Sequence, residues 1–250
     1  MYISYGNTGR EPTKVDIFGG FSLTPSNLAS VTGDDVKPEF VNDLEAGLKI
    51  SYPKLQGEIN GFLMHFIDEI APIGEYVPEG FLQLRKNIPA STRTGIEMDL
   101  LWKLSDRVSL IGNATYMYSN IAEYHPEESP VTYYNVKPAL SPELIGQAAM
   151  EYELTHWWSF RLSGRYVSES FQEPTNNELF MMPSFGIADL STSIKIGKRS
   201  SIDFSLNNIF NARYFTYGAP VDVDWDGSFD EPGYFIQPPR HGYIRIVYGI

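Results

Sequence analysis

The sequence predicts an all-β fold, a transmembrane antiparallel up-and-down β-barrel wall, on three observations. Eight stretches alternate apolar and polar residues one for one. They are joined by short gaps and long loops in strict turn. Aromatic residues are plentiful, at 14% of the chain, and gather toward the ends of the stretches. A strand sets successive side chains on opposite faces, so a period of two gives each strand one apolar surface. With short turns at one rim and long loops at the other, the apolar surface meets lipid and the opposite surface meets water.

The elements follow in order. Residues 1–9 open the chain as a strand, and 44–52 alternate next. Residues 55–71 are strand-like, but apolar side chains fall on both faces and leave the register open. Alternation resumes over 96–104, 108–118 and 146–154. In 158–166, Trp158, Phe160, Leu162, Gly164 and Tyr166 oppose Ser159, Arg161, Ser163 and Arg165. Two more follow at 188–196 and 200–210, the latter with Ile202, Phe204 and Leu206 against Ser201, Asp203, Ser205 and Asn207. The last strand sets Ile244, Ile246, Tyr248 and Ile250 against Arg245, Val247 and Gly249. That makes about ten strands of nine to thirteen residues. Crossing a bilayer at a tilt takes roughly 9–11, whereas sandwich strands average about 5–6.

The connections carry the orientation. Pro53-Lys54, Ser105-Asp106, Thr155-His156 and Gly197-Lys198-Arg199 have the chemistry of tight turns. The others are long, roughly 10–38, 72–90, 121–142, 172–183 and 214–239. In barrels of this kind the short side is periplasmic, which puts the C-terminus there. Tyr52, Trp102, Trp157, Trp158, Tyr116, Tyr118 and Tyr248 sit toward strand ends, where interface girdles lie.

Composition removes several classes. No run of eighteen apolar residues exists, so no helix crosses a membrane, although half-polar barrel strands escape that criterion. Without cysteine there is no disulfide framework or thiolate metal site. A net charge of -12 argues against a nucleic-acid partner. Met1-Tyr2-Ile3-Ser4-Tyr5 lacks the basic and apolar regions of a secretory signal, which an exported barrel needs, so either the chain is a fragment or the membrane reading is wrong.

Five motifs then occur in sequence. They are Arg10-Glu11-Pro12-Thr13; Lys37-Pro38-Glu39 with Asn42-Asp43-Leu44-Glu45-Ala46-Gly47; Asn87 through Glu97, ending Thr94-Gly95-Ile96-Glu97; Tyr166-Val167-Ser168 with Asn176-Asn177; and Leu206-Asn207-Asn208-Ile209-Phe210-Asn211-Ala212-Arg213-Tyr214. Together they resemble the C-terminal part of TonB-dependent outer-membrane receptors, in the branch for iron complexes, over nearly the whole chain. The resemblance implies about ten C-terminal strands of a barrel of about 22, spanning residues 1–250. The plug domain and signal peptide would lie outside this chain. It further implies energy coupling to the TonB complex through the missing N-terminal part, and a location in the outer membrane of a Gram-negative bacterium. One departure is the final residue, Ile250, where such barrels usually end on Phe.

Candidate functional residues fall into three groups. Loop aromatics and an arginine suited to an iron chelate are Arg10, Tyr76, Tyr124, Tyr133, Tyr134, Trp225 and Tyr234. Charged residues alternating with the lipid face should point into the lumen toward a plug: Glu45, Lys49, Glu97, Asp99, Glu151, Arg161, Arg165, Asp189, Lys195 and Asp203. Asp222, Asp224, Asp226 and Asp230 resemble a calcium loop, but position twelve is Gly233 rather than Glu, which favours an acidic solvated loop. His65, His125, His156 and His241 have no metal-ligand spacing, and paired acids such as Glu127-Glu128 and Asp34-Asp35 lie in loops. No catalytic constellation emerges, so the chain is read as no enzyme, without a cofactor beyond the candidate loop calcium. Uptake of a ferric siderophore leads. Another cargo (cobalamin, carbohydrate or peptide), an autonomous passive barrel and a soluble sandwich stay open. Expected partners are outer-membrane lipid and lipopolysaccharide, the plug, the TonB complex and the chelate.

Overall fold

The structure, a computed structural model, describes residues 1–18, 36–71, 76, 77, 82, 83, 85–126, 130–224 and 229–249. Ten strands form one antiparallel sheet, each paired with its neighbour in sequence. They are β1 (Tyr2–Arg10), β2 (Glu39–Ser51), β3 (Leu55–Ala71), β4 (Lys86–Lys103), β5 (Val108–Tyr124), β6 (Leu144–Thr155), β7 (Trp158–Val167), β8 (Phe185–Ile196), β9 (Ser200–Asn207) and β10 (His241–Val247). A short strand, Tyr133–Val136, adds to the outer part of β5. The meander has no crossover, and β1 and β10 are the two edges of the described sheet.

Backbone bonds close the short turns. Tyr52 and Leu55 exchange N–H···O=C bonds of 2.8 and 3.2 Å around Pro53-Lys54. The Ser105 hydroxyl accepts the Arg107 and Val108 amides at 3.2 and 3.1 Å. Gly197 turns β8 into β9 at φ 68°, a conformation that a Cβ would strain.

Directly opposed residues of an antiparallel pair share a face, so the register sorts the whole wall. One row runs Lys49, Glu58, Asp99, Asn113, Gln147, Arg165, Ile187 across seven strands. Lys49 lies near the short-turn end of β2, and Arg165 near the loop end of β7. The row climbs roughly seven residues over six strand steps, which at about 3.3 Å per residue and 4.8 Å per step is a tilt of roughly 40°. That is the slant of a membrane barrel. Ile59, Leu63, Ile96, Met98, Leu162, Phe204, Ile244 and Ile246 share the other face, and all are exposed. Large apolar side chains facing outward along every strand suit a lipid contact.

The structure differs from the sequence expectations in three respects. β3 covers 55–71 as expected, but β4 and β5 run to 18 and 17 residues, well beyond the expected length. Their loop ends leave the span and stand as a sheet, because Ile88, Ile121, Tyr124 and Val136 bury one another there. The open register of 55–71 is settled by its neighbours: Phe62, Met64 and Phe66 face inward opposite Glu45, Asp43 and Val41. The strand expected over 200–210 stops at Asn207, and the loop after it holds a ribbon, Phe215–Val221 paired with Glu231–Ile236.

Asn208 ends that strand. It lies at φ 52°, is 1% exposed, and its amide group bonds both the N–H and C=O of Ala212 at 2.8 Å. Its backbone N–H donates to Asp189 Oδ1 at 2.7 Å. Asn211, at φ 54°, accepts the Arg240 amide at 2.9 Å and so fixes the entry to β10. The Asn-Asn-Ile-Phe-Asn segment is therefore a backbone-satisfying corner. Replacing Asn208 with Ala should lower the stability of the receptor by about 2–4 kcal/mol, since two buried backbone groups lose partners and the positive φ becomes strained. Asn208→Gly, which relieves only the φ, should fall between, as read from thermal melts in detergent.

Candidate functional site

The inner face carries the charged residues. The register puts Glu45, Lys49, Glu97, Asp99, Glu151, Arg161, Arg165, Asp189, Lys195 and Asp203 on one side of the sheet. That side is concave: a single cavity of about 380 Å³ touches Asn113 on β5, Arg165 on β7, Asp189 on β8 and His241 on β10. Flat strands that far apart could not line one cavity.

Inner charges are partly paired. Lys49 Nζ lies 3.2 Å from Glu58, Arg161 bonds Glu151, and Arg245 reaches Asp203 at 2.8 Å. Acid dominates at β2–β4. Glu58 lies directly opposite Asp99, and Asn60, 9% exposed, lies opposite Glu97. Asn60 Oδ1 and Asp43 Oδ1 are buried acceptors without a hydrogen-bond donor among the described residues. Glu58 already holds Lys49, so Asp99 and the unmet acceptors carry the remaining acidic character of this surface.

Two sequence motifs acquire a physical meaning here. Gly47 lies under the ring of Tyr2, and Gly95 under that of Phe62; a Cβ would come within 2.4 and 2.7 Å of those rings. Each glycine is two residues from an inner-face glutamate, Glu45 or Glu97. The rings cover gaps in the wall where a side chain would not fit.

The loop residues chosen from sequence are not brought together. Tyr124 is buried in the outer cluster at 7% exposure, 6.5 Å from the ring of Tyr133. Burial, then the nearby Glu173 and Tyr133, push its hydroxyl up to about 12. It belongs to strand β5 rather than to a loop, and it lines a second cavity of about 350 Å³ with Asn87, Ile88 and Glu123. Tyr134, 63% exposed, is open. Tyr234 stacks on Phe215 at 4.5 Å and donates to the Met181 carbonyl at 2.9 Å, stitching two loops. The side chain of Tyr76 and all of Trp225 and Asp226 lie outside the described residues. Asp222, Asp224 and Asp230 lie in the loop between the ribbon strands, and Asp230 accepts the Val223 amide at 3.3 Å. Among the described residues no three His, Asp or Glu side chains gather as a metal site.

Arg10 also has a structural task. It spans Glu39 at 2.7 Å and Asp16 at 2.8 Å, and Arg85 meets the other Asp16 oxygen at 3.2 Å. Asp16, 4% exposed, sits in a short helix, α1 (Lys14–Phe18), and accepts the Thr13 amide and hydroxyl at 2.8 Å. Burial raises its pKa, but the Thr13 bonds and the Arg10 charge outweigh it and leave the group below its ordinary 3.8. Glu39 is likewise lowered: burial opposes, while Arg10 and the Ile70 amide prevail. Sequence reasoning missed Asn113, Gln147, Asn207 and His241 around Arg165; only the register brings them to one cavity.

Comparison with known proteins follows the geometry. A sequence profile described as TonB dependent receptor-like, beta-barrel, matches residues 1–209. Among solved structures, the copper transporter OprC superposes with a TM-score of 0.74 at 17% identity, covering 98% of this chain and 36% of that one. The siderophore receptor PiuA from Acinetobacter baumannii gives 0.72 at 16%, covering 98% and 33%. The ferric citrate transporter FecA gives 0.67 at 20%, covering 98% and 35%. The chain thus spans about a third of the length of these proteins. No curated protein matches the sequence at a significant level.

A depressed carboxyl stabilises the fold above its unfolded pKa and stops doing so as pH falls through the folded value. Hydrogen-exchange protection of α1 and of the paired ends of β1 and β2 should therefore be flat from pH 5 to 8 and drop below about 4. Asp16→Asn should lower protection at neutral pH and flatten much of that acid response.

Proposed function

The chain belongs to the TonB-dependent receptor β-barrel family, and from that premise we propose that it forms part of an outer-membrane receptor for active uptake of a ferric siderophore or similar iron complex. The observation that carries this is the family match over residues 1–209, set on a wall that is apolar outside and charged inside. Barrels of this family are outer-membrane proteins of Gram-negative bacteria. The matched neighbours are transporters and receptors by name, and none of those reported is named as an enzyme. The outward apolar face would sit against lipid and lipopolysaccharide.

Transport through such a wall is a conformational event. A plug, carried by sequence beyond this chain, would fill the lumen and be displaced by the inner-membrane TonB complex. A polar inner face serves that role because hydrated contacts can be released, whereas a dry apolar seam would hold the plug fast. The acidic area at Glu58, Asp99, Asn60 and Asp43 supports a cationic surface on the plug.

A strain lacking the full-length gene should lose growth on a ferric siderophore as sole iron source. Loss of TonB should abolish uptake while leaving surface binding intact. Unimpaired growth of the deletion strain on every iron complex tried would sink the reading. For the plug contact, the sign of one variant decides. Asp99→Asn, which leaves the Lys49–Glu58 pair in place, should lower the melting temperature of the full-length receptor if a cationic plug surface sits there. It should raise it by relieving repulsion if nothing cationic does.

A further inference from the structure

We infer that Arg165 forms the centre of an anion pocket at the outer end of the lumen wall, built to take a carboxylate. The inference rests on the uptake reading for its cargo arm and narrows the chelate to one bearing a free carboxylate. Among the strand arginines, Arg10, Arg93, Arg161 and Arg245 each hold a carboxylate of this chain. Arg165 holds none among the described residues: its guanidinium lies over the Phe185 ring, 5.5 Å from the centroid, and Phe185 packs on Tyr214 at 5.0 Å. The aromatic pair holds the side chain without neutralising it.

Its surroundings supply donors. Asn113, Gln147 and Arg165 are consecutive on one register row of β5, β6 and β7. All three are exposed to the cavity, and no side-chain hydrogen bond ties up either amide among the described residues. Ser163 adds a hydroxyl. His241 is held at Nδ1 by the Pro239 carbonyl at 2.9 Å and at Nε2 by the Asn207 amide at 3.1 Å. Arg165, Arg161 and Asp189 line the pocket; Arg161 is bonded to Glu151, and Asp189 already accepts the buried Asn208 amide.

Size and charge select the group. A cavity of about 380 Å³ is at the small end of ligand sites, which run from about 300 to 1,000 Å³, so it fits one arm of a chelate rather than the whole. A planar carboxylate matches the guanidinium fork with two parallel bonds. Asp189 on the same wall disfavours a doubly charged phosphate more than a singly charged carboxylate. Arg165 is two residues from the loop end of β7. The carboxylate could belong to the cargo or to an acidic side chain of a segment packed in the lumen; the chemistry is the same.

The test compares the wild-type full-length receptor with Arg165→Gln and Arg165→Lys. Probes are ferric citrate and, as control, a neutral ferric tris-hydroxamate, with binding read by tryptophan fluorescence and melting read without ligand. If cargo supplies the carboxylate, Arg165→Gln weakens ferric citrate by about tenfold or more, leaves the hydroxamate unchanged, and keeps the melting temperature. Arg165→Lys recovers part of the loss. If a lumen segment supplies it, the melting temperature of Arg165→Gln falls and binding does not change selectively. Equal binding and equal melting in both variants overturn the pocket. Wild type that binds neither ferric probe counts against the uptake reading instead, and the melting comparison still decides the pocket.

Discussion

The structure depends on the hydrogen-bond ladder between neighbouring strands. Inside a bilayer no water is available to a free N–H or C=O, so each strand must find its partners in the strands beside it. An antiparallel meander meets that demand with short turns, and the turns at Pro53-Lys54 and Gly197–Arg199 need few residues because the strands they join are already adjacent. Everything else follows from the register the ladder imposes. It decides which side chains face lipid, and its stagger gives the slant by which the strands cross the membrane.

The same register organises the inner wall. Residues far apart in sequence, such as Lys49 and Arg165, fall on one continuous row. Because the row climbs, Glu58 and Asp99 lie toward the short-turn side, and Arg165 lies toward the loops. On the readings proposed above, the acidic side chains would face a plug and Arg165 a carboxylate.

The outer rim is fastened by side chains that act on backbone. Asn87 pairs with both the N–H and C=O of Lys37 at 2.7 and 2.9 Å, and Asn176 does the same for Lys137 at 2.7 and 2.9 Å. Both lysines precede a proline, which has no N–H to offer, so the chain there cannot continue a ladder. An asparagine amide has the donor and acceptor of a peptide group and substitutes for the missing strand. Asn208 does likewise at the exit of β9. Ionic bonds at Asp16 anchor the first loop on top of this frame.

Much of this was legible before the structure. Alternation is a local property, so Trp158, Phe160 and Leu162 declare their strand and its lipid face without help from any neighbour. The alternation of short and long connections gave the topology for the same reason. Other features were not local. Residues 55–71 have apolar side chains on both faces, and only pairing with β2 and β4 decides that Phe62 turns inward over Gly95. Tyr124 looked like a free loop aromatic, yet packing against Ile88 and Val136 buries it. Arg165 read as one charge among ten, and only the stagger of three strands sets it in line with the Asn113 and Gln147 amides. Sequence by itself determined the two faces of each strand, because a side chain's direction depends on the residue beside it. Tertiary structure decided what each inward group meets, because that depends on a register fixed by hydrogen bonds to strands distant in sequence.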